Sequence, residues 1–393
     1  MPAYKYLIIG GGMTADAAVS GIKEIDPSGS IGLITTERYP PYNRPPLSKG
    51  LWKGKPLEKI FRKATEEGVE RHLSTTVQSI QPQSKTVIDE KGVAYTYEKL
   101  LIATGGSPIR LPFGGEDILY YRTLDDYQNL RTLAERGGRF AVIGGGFIGS
   151  EIAAALRNAG QEVVMAFPDV GISARLFPAD LSRSINEYYR QQGVEVLAGE
   201  LVSGLERWGS RLVLKMKSGN EIEADYVVGG IGIRPNTALA EAAGIQVDRA
   251  GIVVDNYLMT SVPDVYAAGD VAYFFSPALD QRLRVEHEDN ALTGGKIAGR
   301  NMAGDRTPYE HLSYFYSDLF ELGYEAVGEL NPELETFADW EEPYRKGVVY
   351  YLHDGGVRGV LLWDTWGQVD AARRLIAEPG PFTPADLRGR LPE

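Results

Sequence analysis

Two glycine clusters carry the first chemistry in the sequence. Gly10-Gly11-Gly12-Met13-Thr14-Ala15 reads G-x-G-x-x-A, and Gly144-Gly145-Gly146-Phe147-Ile148-Gly149 reads G-x-G-x-x-G. Each follows a short apolar run, "YKYLII" or "GRFAVI", and opens an alanine-rich stretch of helical character. That context makes the pattern a candidate dinucleotide site. The first glycine permits a tight turn, and the second lets backbone approach a pyrophosphate. The small third residue, Ala15 or Gly149, lets helix and strand pack closely. Free N–H groups and about +0.5 charge at the helix start then favour phosphate. An acid follows each cluster in register: Glu37 lies 22 residues after Ala15, and Asp169 lies 20 after Gly149. A carboxylate there accepts the hydroxyl protons of a ribose. Either cluster alone is also readable as a glycine-rich turn with no ligand. Two in register point to two dinucleotides, and a flavin plus a nicotinamide is the economical pair, because hydride passes from one to the other.

Asp169 repels a 2′-phosphate, which favours NAD(H) over NADP(H). Against this, Arg175 lies six residues further on and can meet such a phosphate, and Asp169 is also readable as a solvated loop acid. Two further stretches join the set. "VYAAGD" (265–270) sets Asp270 after Gly269 at the end of a strand pattern, where a carboxylate can bond a ribityl hydroxyl or simply close an Asx turn. "PPYNRPPLSKG" (40–50) crowds four prolines around Arg44 and Lys49. Proline locks φ and restrains the residue before it, so this strip is either a plain linker or a shaped site.

Composition sets bounds. The chain has 393 residues, enough for two or three domains. Its formal net charge of -12 argues against a general nucleic-acid or anionic-membrane binder. There is no cysteine, which removes a redox disulfide, a cysteine-ligated cluster and a catalytic thiol. The four histidines, at 72, 287, 311 and 353, show no metal-ligand spacing, so no metal is expected. The start, "MPAYKYLIIGGG", runs straight into a strand pattern, and no apolar run approaches the ~20 residues of a membrane helix. A soluble, cytoplasmic protein is expected.

The elements that must hold these residues form a coarse repeat. Each glycine cluster belongs to a strand–turn–helix unit followed by a second strand, "SIGLITTE" or "EVVMAFPD". Alternating runs with turns at "RWGS" and "KSGN" predict a β-meander after the second unit, and "IDEKGVAYTYEKLLIATGG" predicts one after the first. "LLIATGGSPIRLP" reads as a strand ending in a glycine turn that crosses between domains. "VPDVYAAGDVAYF" reads as a return to the first domain. Beyond about Pro308, aromatic alternation predicts antiparallel strands, then a short helical tail from Ala371. The fold class is therefore α/β: two Rossmann-like dinucleotide-binding domains, the NAD domain inserted in the FAD domain, plus a C-terminal α+β domain. The expected boundaries are 1–116 and 241–313 for FAD, 117–240 for NADH and 314–393 for the C-terminal domain.

Taken with "PYNRPPLSKGLW", "TYEKLLIATGGSP", "GGGFIGSE", "VEHEDNALTGGKIAGRNMAG", "YSDLFELGYEAVG" and "KGVVYYLHDGGVRGVLLW", the chain resembles the FAD-dependent pyridine-nucleotide oxidoreductases. Within them it is similar to the apoptosis-inducing-factor branch and the related ferredoxin and rubredoxin reductases. The resemblance spans essentially the whole chain. It implies FAD contacts from Gly10, Gly12, Thr14, Ala15, Glu37, Arg44, Lys49, Val77, Arg122, Asp270, His287 and Tyr316. It implies an NADH site at Gly144, Gly146, Phe147, Ile148, Gly149, Glu151, Asp169, Arg175 and Gly232, with Glu286 near the nicotinamide carboxamide. His287 outside such a motif would read as a core histidine. Tyr316 stands where the family often has Trp, and Glu288 where it commonly has His or Trp. The resemblance further implies that Phe147 lids the flavin and that Lys49, paired with Glu151, lies near its N5. The expected activity is hydride transfer from NADH to FAD, then electron transfer to an unidentified acceptor of the ferredoxin, rubredoxin or quinone kind. The alternative is a slow, NADH-sensing binding protein with a long-lived charge-transfer complex, as a redox-linked homodimer.

Overall fold

The apolar run Ala3–Ile9 is buried at every position from Tyr6 onward, as a parallel strand covered on both faces must be. It pairs in parallel with Ile31–Ile34 on one side and Ala94–Ile102 on the other, and Val69–His72 extends the sheet beyond Ile31–Ile34. The strand Ala94–Ile102 has nine residues, long enough for two partners along its other edge. Thr86–Asp89 runs antiparallel to its start, and Val265–Ala267 runs parallel to its end. That second pairing is the expected return of "VYAAGD" to the first domain. Val77–Gln81 completes the expected meander. The helices Met13–Ile25 and Glu288–Met302 pack against each other.

The computed structural model describes residues 1–391 and divides into two compact units. Residues 1–44, 56–107 and 234–313 form the unit just described; residues 45–55, 108–233 and those from Tyr314 onward form the second. The second unit holds a parallel sheet of five strands in the order Val194–Ala198, Glu162–Phe167, Arg139–Ile143, Tyr226–Gly229 and Ile118–Tyr120. The helix Phe147–Asn158 follows Arg139–Ile143. Val202–Trp208, Arg211–Met216 and Glu221–Ala224 form the antiparallel meander expected from the "RWGS" and "KSGN" turns. A second antiparallel sheet runs Tyr314–Leu319, Leu322–Gly328, Gly356–Trp363, Lys346–His353, Glu335–Glu342. The helical tail starts at Val369, two residues before the expected Ala371.

From Pro45 onward the proline strip is clamped within the second unit. Pro45–Leu47 forms a 3-10 turn, for which proline's fixed φ is already suited. Leu47 and Leu51 are buried. The Tyr121 hydroxyl donates to the Leu47 carbonyl at 2.5 Å, and Trp52 Nε1 donates to the same oxygen at 2.9 Å. Tyr127 reaches the Leu51 carbonyl at 3.3 Å and meets Trp52 edge-on. Three aromatic side chains thus hold the backbone that carries Lys49. We expect Tyr121→Phe to cost about 1 kcal/mol, because one buried hydrogen bond is lost while Trp52 still satisfies the carbonyl. Urea denaturation of both proteins checks this; equal stability would show that Tyr121 does not restrain the strip.

Candidate active site

Both glycine clusters fold as tight turns. Gly10 has φ +121° and Gly144 φ +115°, where a side chain is strained. A Cβ would also lie 2.1 Å from the Ala103 carbonyl oxygen at Gly10, and 2.3 Å from that of Gly230 at Gly144. Gly12 and Gly146 sit at the N-caps of Met13–Ile25 and Phe147–Asn158, and neither helix start has a side-chain cap. A Cβ built at either glycine meets nothing within 4 Å. Open approach to uncapped N–H groups is what a pyrophosphate requires, so both turns fit a dinucleotide. The fully buried Ala15 packs inside the first helix, and a Cβ at Gly149 would lie 2.1 Å from the Gly144 carbonyl oxygen. Thr14 is buried at the first helix start, while Ile148 is half-buried at the second.

In the first unit Glu37 lies three residues past the strand Ile31–Ile34. Its carboxylate accepts from the Tyr42 hydroxyl and from Arg44 Nη2, each at 2.5 Å. A carboxylate has about four lone-pair sites, so capacity for ribose hydroxyls remains. Burial, the largest influence on Arg44, pulls its guanidinium down, but the charge and hydrogen bond of Glu37, with the Tyr42 phenol and the charge of Asp270, together hold it above its ordinary value. Arg44 is therefore a permanent cation among acids, suited to a phosphate. Asp270 lies in the 3-10 turn Gly269–Val271, and Arg284 donates to its carbonyl at 3.2 Å. Arg284 also pairs with Glu286 at 2.8 Å. His287 stands at the N-cap position of the helix that Glu288 opens, without a side-chain capping bond. Val77 is buried at a bulge in its strand.

Burial pulls the His287 imidazole down from 6.5 to about 4, against the opposing charges of Asp270 and Asp289. His287 is thus neutral at neutral pH. A depressed histidine withholds a proton that the unfolded chain takes, so its contribution to stability is full above about pH 6.5 and lost as pH falls toward 4. We expect the stability difference between wild type and His287→Asn to shift against wild type over that window, by chemical denaturation at stepped pH. A difference independent of pH would contradict the depressed value.

The second unit holds the other candidates. Asp169, two residues past Glu162–Phe167, pairs at 3.5 Å with Arg175, whose side chain is 81% exposed. Gly232 has φ +99°, and its carbonyl accepts from the Ile109 N–H at 2.9 Å. Arg122 lies just before the helix Leu124–Arg136, with its N–H on the Asp126 carboxylate at 3.0 Å. Lys49 and Glu151 form a direct ion pair, their side chains only 11% and 7% exposed. Glu151 also accepts from Ser48 Oγ on Oε2 and from Ser317 Oγ on Oε1, both at 2.5 Å. The Tyr316 ring faces Lys49 Nζ at 5.4 Å. Phe147 meets Phe315 edge-on, with ring centres 5.3 Å apart. A cavity of about 40 Å³ opens beside the pair, with Trp52, Lys53 and Phe320 in its wall. Burial pushes the Tyr324 phenol well above its usual range, and the Glu151 charge adds to this.

The structure thus brings Lys49, Glu151, Phe147 and Tyr316 together, and Glu37 with Arg44. Sequence reading missed Ser48, Ser317, Tyr42 and Phe315. Two signals were present: Ser48 adjoins Lys49, and Phe315 and Ser317 alternate along "YFYSDL". Removing one member of a buried ion pair leaves its partner uncompensated, at a typical cost of ~3–5 kcal/mol. Lys49→Ala is expected to lower stability by about that amount, measured by urea denaturation. A loss below about 1 kcal/mol, as for an exposed pair, would contradict the burial.

Two strand–glycine turn–helix units, each followed by an acid after the next strand, define a protein that binds two dinucleotides. Comparison with known proteins narrows this. The pyridine nucleotide-disulphide oxidoreductase profile matches residues 4–295, and the C-terminal profile of mitochondrion-associated apoptosis-inducing factor matches 298–342 and 338–378. Apoptosis-inducing factor 1 of Dictyostelium discoideum is 36% identical over 416 residues, covering 95% of this chain and 78% of that protein. Monodehydroascorbate reductase 3 of Arabidopsis thaliana is 34% identical, covering 92% and 89%. The putidaredoxin reductase–putidaredoxin complex superposes with a TM-score of 0.91 at 28% identity, covering 97% of this chain and 95% of that one. The chain belongs to the pyridine nucleotide-disulphide oxidoreductase family, as a FAD-dependent NAD(P)H oxidoreductase. The chain has no cysteine, so it has no thiol of its own. Among the described residues, no helix is long and apolar enough to cross a membrane, and no group of acids and histidines could hold a metal ion.

Proposed function

We propose that the protein prefers NADH to NADPH and passes the electrons from its flavin to a separate acceptor, most simply a small iron–sulfur protein. The observation that carries the hydride-transfer step of this reading is the buried Lys49–Glu151 pair, and Asp169 carries the preference for NADH. Bound FAD would supply the two-electron acceptor for the hydride of the nicotinamide. Gly12 and the uncapped helix behind it would take its pyrophosphate, Glu37 its adenosine ribose and Arg44 its phosphate charge. Lys49 would lie at the flavin N5, where a fixed cation stabilises arriving electron density. Phe147 would cover the ring until the nicotinamide displaces it. Gly146 would take the second pyrophosphate and Asp169 the ribose of NADH. Without cysteine, no internal disulfide can receive the electrons. Val77, Arg122, Asp270, Glu286, His287, Glu288, Arg175 and Gly232 remain proposed contacts of the two dinucleotides. The likeness to a reductase bound to putidaredoxin supports a protein acceptor, and the monodehydroascorbate reductase relatives keep a small-molecule acceptor in play.

Three measurements test the reading. Lys49→Ala should slow stopped-flow flavin reduction by NADH at least ~10-fold, the scale of losing one oriented electrostatic group. Reduction at the wild-type rate would remove Lys49 from the mechanism. Asp169→Ala should move the kcat/KM ratio of NADH to NADPH toward NADPH by about 10-fold or more, because the repelling carboxylate is gone while Arg175 stays. An unchanged ratio would place the cofactor choice elsewhere. Rapid loss in air of the long-wavelength band formed with NADH marks a turnover reductase. Its persistence, with a change of size on gel filtration, marks the redox-switched alternative.

A further inference from the structure

The strand Tyr314–Leu319 and the helix Phe147–Asn158 meet at matched spacings. Phe315 and Ser317 lie on one face of the strand, about 6.8 Å apart along it. Phe147 and Glu151 lie one turn apart on the helix, about 6 Å along its axis. Phe315 meets Phe147, and Ser317 meets Glu151, so both pairs register at once. Ser317 is fully buried. It donates to Oε1, the same oxygen that takes Lys49, while Ser48 donates to Oε2. Directly across the hairpin, Ser317 is the register partner of the buried Tyr324.

We propose that Ser317, supported by Ser48, is a positioning residue of the hydride-transfer site: it shares the Glu151 carboxylate with Lys49 and so sets how much of the lysine charge is left for the flavin. The inference rests on the proposed role of Lys49 at the flavin. A carboxylate with three donors binds each of them less tightly than a carboxylate with two. Without the Ser317 hydroxyl, Glu151 pulls Lys49 toward itself, and the reduced flavin loses stabilising charge. The C-terminal sheet then serves chemistry through one hydroxyl.

The test uses the FAD-loaded protein and the variants Ser317→Ala, Ser48→Ala, Glu151→Gln and Ser317→Ala with Glu151→Gln. The expected result for Ser317→Ala is a limiting rate of flavin reduction lowered on the order of tenfold, as for losing a hydrogen bond to a charged group. The NADH concentration for half-saturation should stay within about twofold, since no substrate contact is lost. The flavin midpoint potential should move to more negative values. In the Glu151→Gln background, removing Ser317 should change the rate by less than about twofold, because the group it acts through is already altered. A wild-type rate and potential for Ser317→Ala, or full additivity in the double variant, overturns the inference. Should Ser317→Ala fail to retain FAD, Ser48→Ala is read by the same rate and potential, and wild-type values there overturn it. A wild-type rate for Glu151→Gln overturns the Lys49–Glu151 reading itself. A slow Glu151→Gln beside an unaffected Ser317→Ala overturns only the role of the serine.

Discussion

A carboxylate removed from water must be compensated where it sits, and Glu151 is the point at which this chain meets that demand. Three segments far apart in sequence converge on it: Ser48 and Lys49 from the proline strip, the carboxylate from the helix behind the second glycine turn, and Ser317 from the C-terminal sheet. Burial makes the interaction strong and also makes it exacting, since a buried charge left without one partner costs several kcal/mol. The prolines at 45 and 46, the Tyr121 and Trp52 bonds to the Leu47 carbonyl, and the strand of Ser317 all serve that geometry.

The glycine turns impose the second constraint. At Gly10 and Gly144 the backbone takes a conformation that side chains resist, with a carbonyl where a Cβ would stand. The result is two helix starts whose N–H groups are left open at Gly12 and Gly146. On the proposed reading, phosphate affinity comes from this backbone geometry, while the acids that follow, Glu37 and Asp169, meet the riboses.

Cation placement differs between the two nucleotide sites. Arg44 is enclosed by Glu37, Tyr42 and the field of Asp270, and stays charged against the pull of burial. Arg175 stands in solvent, held to Asp169 by a long pair. An exposed pair of that kind is worth little, so Arg175 is free to reorient, whereas Arg44 is built into its surroundings. His287 follows the opposite rule from Arg44: burial outweighs two nearby acids, and the ring stays neutral. A guanidinium cannot give up its proton at such a site, and an imidazole can.

The sequence by itself determined the features that rest on local rules. G-x-G-x-x-A and G-x-G-x-x-G fixed the two turns because only glycine takes their φ, and the strand runs, the meander turns and the antiparallel C-terminal strands followed from periodicity. The absence of cysteine settled that this chain has no thiol of its own. The pairing of Lys49 with Glu151 came from family resemblance, and no spacing in the chain foretold it, because 102 residues separate the two. Only the tertiary structure decided the company of that pair. Ser48 and Ser317 are ordinary serines by composition, and Phe315 is one aromatic among many. Their roles arise because one strand and one helix happen to place neighbours at nearly equal spacing, a coincidence of 3.4 Å and 1.5 Å repeats that takes effect only when the two elements pack. The same holds for Tyr42 on Glu37 and Tyr121 on Leu47. Hydrogen bonds between distant segments leave no mark in a local pattern, since each partner is an unremarkable residue until the other arrives.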